Sequence, residues 1–177
     1  MEKKIVVYCS ASNTIDPAYN EAARAFVRAA VGAGYGIVSG GTVKGTMGVI
    51  GDEIAACGGS HTGFLPRFMD GLEHGNLSGM EFTDTMAERK EKMREGTCAA
   101  VALPGGIGTM DELMETYTLR KLGQYDGDVY VLNLGGFYDP LETLLDHFVA
   151  TEMLDKESRK LIHFPKTVEE LTAMMFR

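Results

Sequence analysis

Short uncharged runs constrain this chain more than any other feature. Ile5-Val6-Val7-Tyr8-Cys9 is continuous rather than alternating, and so is the stretch 97–103. A strand with one wet face alternates polar and apolar residues. A continuous run marks a strand buried on both faces, the property of parallel strands covered by helices. Further strand-like runs fall at 35–39, 61–65, 80–83, 129–134 and 161–164. Helical stretches separate them, opened by Asp16-Pro17, the glycine loop 40–48, Thr85, Thr109, Asp139-Pro140, Asp155 and Thr167. The alternation predicts an α/β fold: a mainly parallel sheet of about seven strands with helices on both faces. At 177 residues with no repeats, linkers or low-complexity segments, residues 1–177 are expected to form a single domain.

Ligands of such sheets sit beyond the carboxyl ends of the strands. Three loops there have ligand-like composition: 10–13, 40–48 and 104–109. The last stands in Leu103-Pro104-Gly105-Gly106-Ile107-Gly108-Thr109-Met110-Asp111-Glu112. Pro104 lacks an N–H and ends the strand. Gly105, Gly106 and Gly108 let the backbone turn and approach a ligand without Cβ interference. Thr109 is then expected to open a helix. Strand, glycine turn and helix N-terminus together offer free N–H groups and a positive dipole end to an anion, usually a phosphate. Asp111 and Glu112 stand beside that anion site. Thr109-x-x-Glu112 also fits a capping box, so Glu112 is read either as a cap or as a catalytic carboxylate, roles that do not exclude each other. The spacing matches neither G-x-x-x-x-G-K-[ST] nor G-x-G-x-x-G, which disfavours kinases, ATPases and NAD dehydrogenases.

The helix from Thr85 places Met86, Arg89, Lys90 and Met93 on one face. Methionines indicate that the face is covered, and cations within it need partners. Arg89 either lays its stem on apolar surface with its head in water, or points its guanidinium into the crevice. Glu88 and Lys92 form an i,i+4 pair on the opposite face.

Net charge of −8 and a pI near 5.0 argue against a nucleic-acid or anionic-membrane surface. Cys9, Cys57 and Cys98 lack C-x-x-C spacing and read as reduced core thiols of a cytoplasmic protein. His61, His74, His147 and His163 show no metal-ligand spacing, no serine sits in G-x-S-x-G, and no apolar run reaches the ~20 residues of a membrane span. No metal or cofactor is expected. Residues 67–79, polar and without period, read as a functional or interface loop.

With these residues in view, the chain resembles the LONELY GUY (LOG) family of nucleotide phosphoribohydrolases. Residues 104–112 match its P-G-G-x-G-T-x-x-E signature, and Met86-Ala87-Glu88-Arg89-Lys90 looks like its M-x-x-R-K motif. The likeness continues through Ser39-Gly40-Gly41, Gly45-Thr46-Met47-Gly48, Leu122-Gly123 and Gly136-Phe137-Tyr138-Asp139-Pro140. The resemblance implies a Rossmann-like fold, a homodimer with sites near the subunit interface, and hydrolysis of a nucleoside 5′-monophosphate to free base and ribose 5-phosphate. The nucleotide would be AMP or an N6-modified AMP of cytokinin type. It implies Arg89 and Glu112 as the catalytic pair. Ser10, Gly40, Gly41, Gly45, Met86, Lys90, Gly105, Gly106, Gly108 and Thr109 are the expected substrate-binding positions. Thr42, Ala87, Leu119 and Lys121 depart from the family's commoner glycine, histidine, tryptophan and glutamine, and the last two bear on base recognition. The alternative is a non-catalytic carrier of a phosphorylated ligand such as molybdenum cofactor, since related folds include such carriers.

Overall fold

In the computed structural model, which describes residues 2–176, the strands are β1 (Lys4–Tyr8), β2 (Gly36–Ser39), β3 (His61–Pro66), β4 (Gly79–Thr83), β5 (Thr97–Ala102), β6 (Asp128–Val131) and β7 (Ile162–His163). The helices are α1 (Pro17–Gly32), α2 (Gly45–Ala56), α3 (Met86–Arg94), α4 (Ile107–Lys121), α5 (Asp139–Ala150), α6 (Lys156–Arg159) and α7 (Val168–Met175). The sheet runs β4-β3-β2-β1-β5-β6-β7, and every pairing is parallel. The expected α/β, Rossmann-like architecture is therefore present.

Alternate residues of β1 feed two cores. Ile5, Val7 and Cys9 join Phe26 and Val27 of α1, Ile50 and Ile54 of α2 and Leu171 of α7. Val6 and Tyr8 join Met93 of α3, Leu113 and Tyr117 of α4 and Leu145 of α5. Burial on both faces is why the run lacks polar alternation. The chain moves outward from β1 to β4, then returns to place β5 on the other side of β1. That reversal opens a crevice at the strands' carboxyl ends between β1 and β5.

Several boundaries differ from expectation. The run 129–134 stops as a strand at Val131, and Leu134–Gly136 is a 3-10 turn with left-handed Gly135 and Gly136. Residues 67–79 carry a 3-10 turn, Arg67–Met69, and a single bridge between Thr42 and Glu73. Only Cys9 is a core thiol; Cys57 and Cys98 are exposed, because the helix end and strand start that carry them face solvent.

Thr109 does not open its helix. α4 begins at Ile107 with Gly106 as N-cap, no side chain caps it, and its first turn holds no acid. Glu112 is therefore not in a capping box. The motif does form at Thr85 and Thr167, whose hydroxyls accept from the N–H groups of Glu88 and Glu170.

Candidate active site

The loops 10–13, 40–48 and 104–109 meet at the β1/β5 crevice and enclose a cavity of about 380 Å³. β1 and its loop bring Cys9, Ser10 and Ser12; the β2–α2 loop brings Gly40 and Thr42; Gly106, Ile107, Gly108 and Thr109 come from the start of α4. Met47, Met69 and Met86 supply an apolar wall, and Arg89 and Glu112 stand together inside. With no capping side chain, the first N–H groups of α4 are left for a ligand.

Arg89 is 7% exposed, which excludes the reading that put its head in water. Its Nε donates to the Phe64 carbonyl at 2.8 Å and its Nη1 donates to Glu112 Oε1 at 3.0 Å. The Nη2 side lies against Gly40, where a Cβ would collide with it and stand 2.7 Å from Met47 Sδ. Gly40 thus makes room for a guanidinium as well as for a ligand. Burial pushes the Glu112 carboxyl above the ordinary glutamate range, and the Arg89 cation pulls it part of the way back. A carboxyl raised in this way and fixed beside a cation is placed to exchange a proton with water or a substrate.

The pair is braced from below. Thr116 Oγ1 donates to the Glu112 carbonyl at 2.8 Å, which leaves the Tyr8 hydroxyl to donate to Thr116 Oγ1, also at 2.8 Å. Tyr138 Oη donates to the Leu103 carbonyl at 2.8 Å, immediately before Pro104. Its backbone N–H is held by Asn133 Oδ1, and Asn133 Nδ2 donates to Asp139. The Gly136-Phe137-Tyr138-Asp139-Pro140 motif therefore supports the glycine turn from behind.

Of the positions expected to bind substrate, Ser10, Gly40, Met86, Gly106, Gly108 and Thr109 line the cavity. Gly105 lines an adjoining apolar recess with Ile15, Tyr19 and Phe137, and a Cβ on it would strike the Thr109 side chain. Gly41 and Gly45 shape the loop instead. Gly41 has φ +71° and packs on Gly63; Gly45 has φ +54° and lies against the backbone of Ser10 and Ser12. Lys90 turns away from the cavity to Asp111 at 3.0 Å and to Glu115, because two carboxylates on α4 offer it charge there. Arg94 completes the ladder to Glu115 at 2.7 Å. Sequence reading missed Arg94, Cys9 and Met69, and it held Ser12 and Met47 only as members of the ligand-like loops 10–13 and 40–48. The methionines gave no chemical signal, and Arg94 fell outside the face counted from Met86. Among the described residues no lysine lines the cavity, and no cluster of His, Cys, Asp or Glu has the makings of a metal site.

Fold and site together define a Rossmann-like protein with a buried arginine–glutamate pair beside an uncapped helix N-terminus. A family model described as "possible lysine decarboxylase" matches residues 47–175. The chain is 33% identical over 174 residues to a probable cytokinin riboside 5′-monophosphate phosphoribohydrolase, LOGL1, of Oryza sativa subsp. japonica, covering 97% of this chain and 78% of that one. It is 35% identical over 150 residues to the cytokinin riboside 5′-monophosphate phosphoribohydrolase of Mycobacterium tuberculosis, covering 83% and 79%. Among solved structures it is similar to the molybdenum cofactor carrier protein of Chlamydomonas reinhardtii, with a TM-score of 0.76 at 17% identity over 98% and 96% of the chains. At that identity the likeness speaks for the fold alone. The chain belongs to the LOG family, the family of the curated relatives it matches.

Proposed function

We propose that this chain hydrolyses the N-glycosidic bond of a nucleoside 5′-monophosphate, AMP or an N6-modified AMP, to free base and ribose 5-phosphate. The phosphate sits on the N–H groups of residues 107–109, and the sugar's C1′ comes beside Arg89 and Glu112. Glu112 Oε1 is held by Arg89, so Oε2 is the oxygen that takes a proton from water as the water oxygen bonds to C1′. The C1′–N bond breaks through an oxocarbenium-like state that the carboxylate stabilises, and the base nitrogen leaves with the proton that Glu112 took from the water. Arg89 keeps Glu112 oriented and presents Nη2 to a phosphate or ribose oxygen. The methionine wall takes the base.

The observation that carries this reading is the buried Arg89–Glu112 pair next to an uncapped helix N-terminus. A pure carrier of a phosphorylated ligand gains nothing from a carboxylate there. The family's label as a decarboxylase finds no support in a cavity without lysine. Ala87 and Leu119 line a separate α3–α4 groove, and Lys121 lies on the surface, so none of the three lines the cavity of its own chain.

The homodimer belongs to the same reading. Met86 and Ile107 line the cavity yet are exposed, and the exposed Val43 and Phe68 flank the lining residues Thr42 and Met69. An apolar rim of that kind fits closure by a second copy near the site. Among the described residues no helix is long and apolar enough to cross a membrane, and the three cysteines are unpaired, which fits a cytoplasmic location. Assay of ribose 5-phosphate release across a panel of nucleoside monophosphates tests the activity. Turnover that requires the 5′-phosphate is expected; saturable binding without turnover across the panel would favour the carrier.

A further inference from the structure

Ser39 at the end of β2 and His61 at the start of β3 are both fully buried, and Ser39 Oγ lies 2.7 Å from His61 Nε2. The same Oγ accepts the Gly41 N–H at 3.0 Å. Gly41 adopts φ +71° and packs on Gly63, the second residue after His61, and its carbonyl accepts the His74 N–H at 2.8 Å. The next residue of β3, Phe64, holds Arg89 Nε. One strand therefore carries the anchor of the Gly40–Gly41 turn and the anchor of the arginine, and Gly40 is the surface against which Nη2 rests.

His61 Nδ1 has no partner among the described residues. A buried polar atom left unpaired costs stability, and an aliphatic residue of similar volume would remove that cost. Packing alone does not account for histidine here; its hydrogen bond to Ser39 does. Burial, with His74 close by, brings the imidazole pKa down to about 4, so the ring is a neutral hydrogen-bonding group near neutrality.

We propose that His61, acting through Ser39 and the Gly40–Gly41 turn, is a positioning residue that sets the Arg89 guanidinium against Glu112. The inference rests on the reading of Arg89 as the cation that faces the substrate.

The test compares His61→Leu, His61→Gln and Ser39→Ala in the full chain. His61→Leu removes the unpaired Nδ1 but leaves the buried Ser39 hydroxyl without its partner, so it is expected to melt within a few degrees of wild type, while kcat on AMP falls roughly tenfold, the size of effect a positioning network transmits. His61→Gln, whose amide reaches as far as Nε2, is expected to recover most of that loss. Ser39→Ala should reproduce the defect, and it decides the matter if His61→Leu fails to fold. A crystal structure of the leading variant should show Nη2 displaced from Gly40. A lowered melting temperature with unchanged kcat and an unmoved Arg89 would overturn the proposal, since that is what a merely structural histidine gives. Absence of ribose 5-phosphate release by wild type would instead defeat the hydrolase reading, and the position of Arg89 in the variant would still judge His61.

Discussion

Glu112 is the sixth residue of α4, too far along to reach the helix's free N–H groups, and its side chain turns into the cavity. Replacing it with Gln keeps an oxygen for Arg89 Nη1 but removes the negative charge. Turnover is expected to fall by roughly 10²-fold or more, with the fold intact by circular dichroism. Glu112→Ala leaves Arg89 buried without its counter-charge and should cost on the order of 3 kcal/mol in chemical denaturation, more than a lost cap would. The pH behaviour has a definite sign. A carboxyl whose folded pKa is raised favours the folded state when protonated, and that contribution is lost as pH rises from the ordinary glutamate value of 4.5 through the folded value. The melting temperature of Glu112→Gln relative to wild type should therefore climb across that window, while the acid limb of kcat/KM lies above 4.5. Gly40→Ala is the smallest change that moves the partner. Its methyl would collide with Arg89 Nη2, and a loss of kcat on the order of 10²-fold is expected from the misplaced guanidinium. The residues alone left both members open, and their pairing came from the resemblance to the family. The capping box was equally consistent with them, because the register of a helix start behind three glycines cannot be read from spacing that flexible.

α3 and α4 carry the pair, and the contacts seen between them are largely ionic. Arg89–Glu112, Lys90–Asp111, Lys90–Glu115 and Arg94–Glu115 form successive rungs between the two helices. Glu115 serves two rungs, and hydrogen bonds from Lys90 and Arg94 outweigh its burial to hold its carboxyl below the ordinary range. Glu115→Ala is expected to cost roughly 1–3 kcal/mol, read by urea unfolding, because it strands the deeply buried Arg94 and leaves Lys90 with Asp111 alone. The ladder explains a misplacement. Lys90 shares a face with Arg89 at adjacent positions, and only the acids on α4 decide that it serves the frame. The start of α4 behaves differently. Among the described residues, a Cβ on Gly106 meets nothing within 4 Å beyond its chain neighbours, so Gly106→Val should fold normally while its side chain enters the ligand's space. A raised KM for the nucleotide with little change in melting temperature is expected; an unchanged KM would remove the phosphate from this loop.

At the scale of the molecule, the two-sided burial of β1 and β5 was legible because parallel strands leave no polar alternation, and the α/β class followed from it. Strand order was not legible. Nothing local in residues 97–103 says that β5 pairs with β1 instead of extending beyond β4, yet that reversal creates the crevice. Where the loops converge is thus a property of topology, and it brings Ser10, Gly40, Arg89 and Glu112 to one cavity from four separate parts of the chain. The apolar rim around it predicts a dimer in solution by light scattering, and Ile107→Glu, at a side chain 87% exposed, should shift that equilibrium toward monomer. Glu112 as the carboxylate of a nucleotide N-glycosidase is the assignment on which the proposed function rests. It is tested most directly by ribose 5-phosphate released from AMP by wild type and by Glu112→Gln at equal concentration. Sustained release by the wild type is expected, with a rate lower by roughly 10²-fold or more in the variant and AMP still bound. Comparable release by both proteins would contradict it.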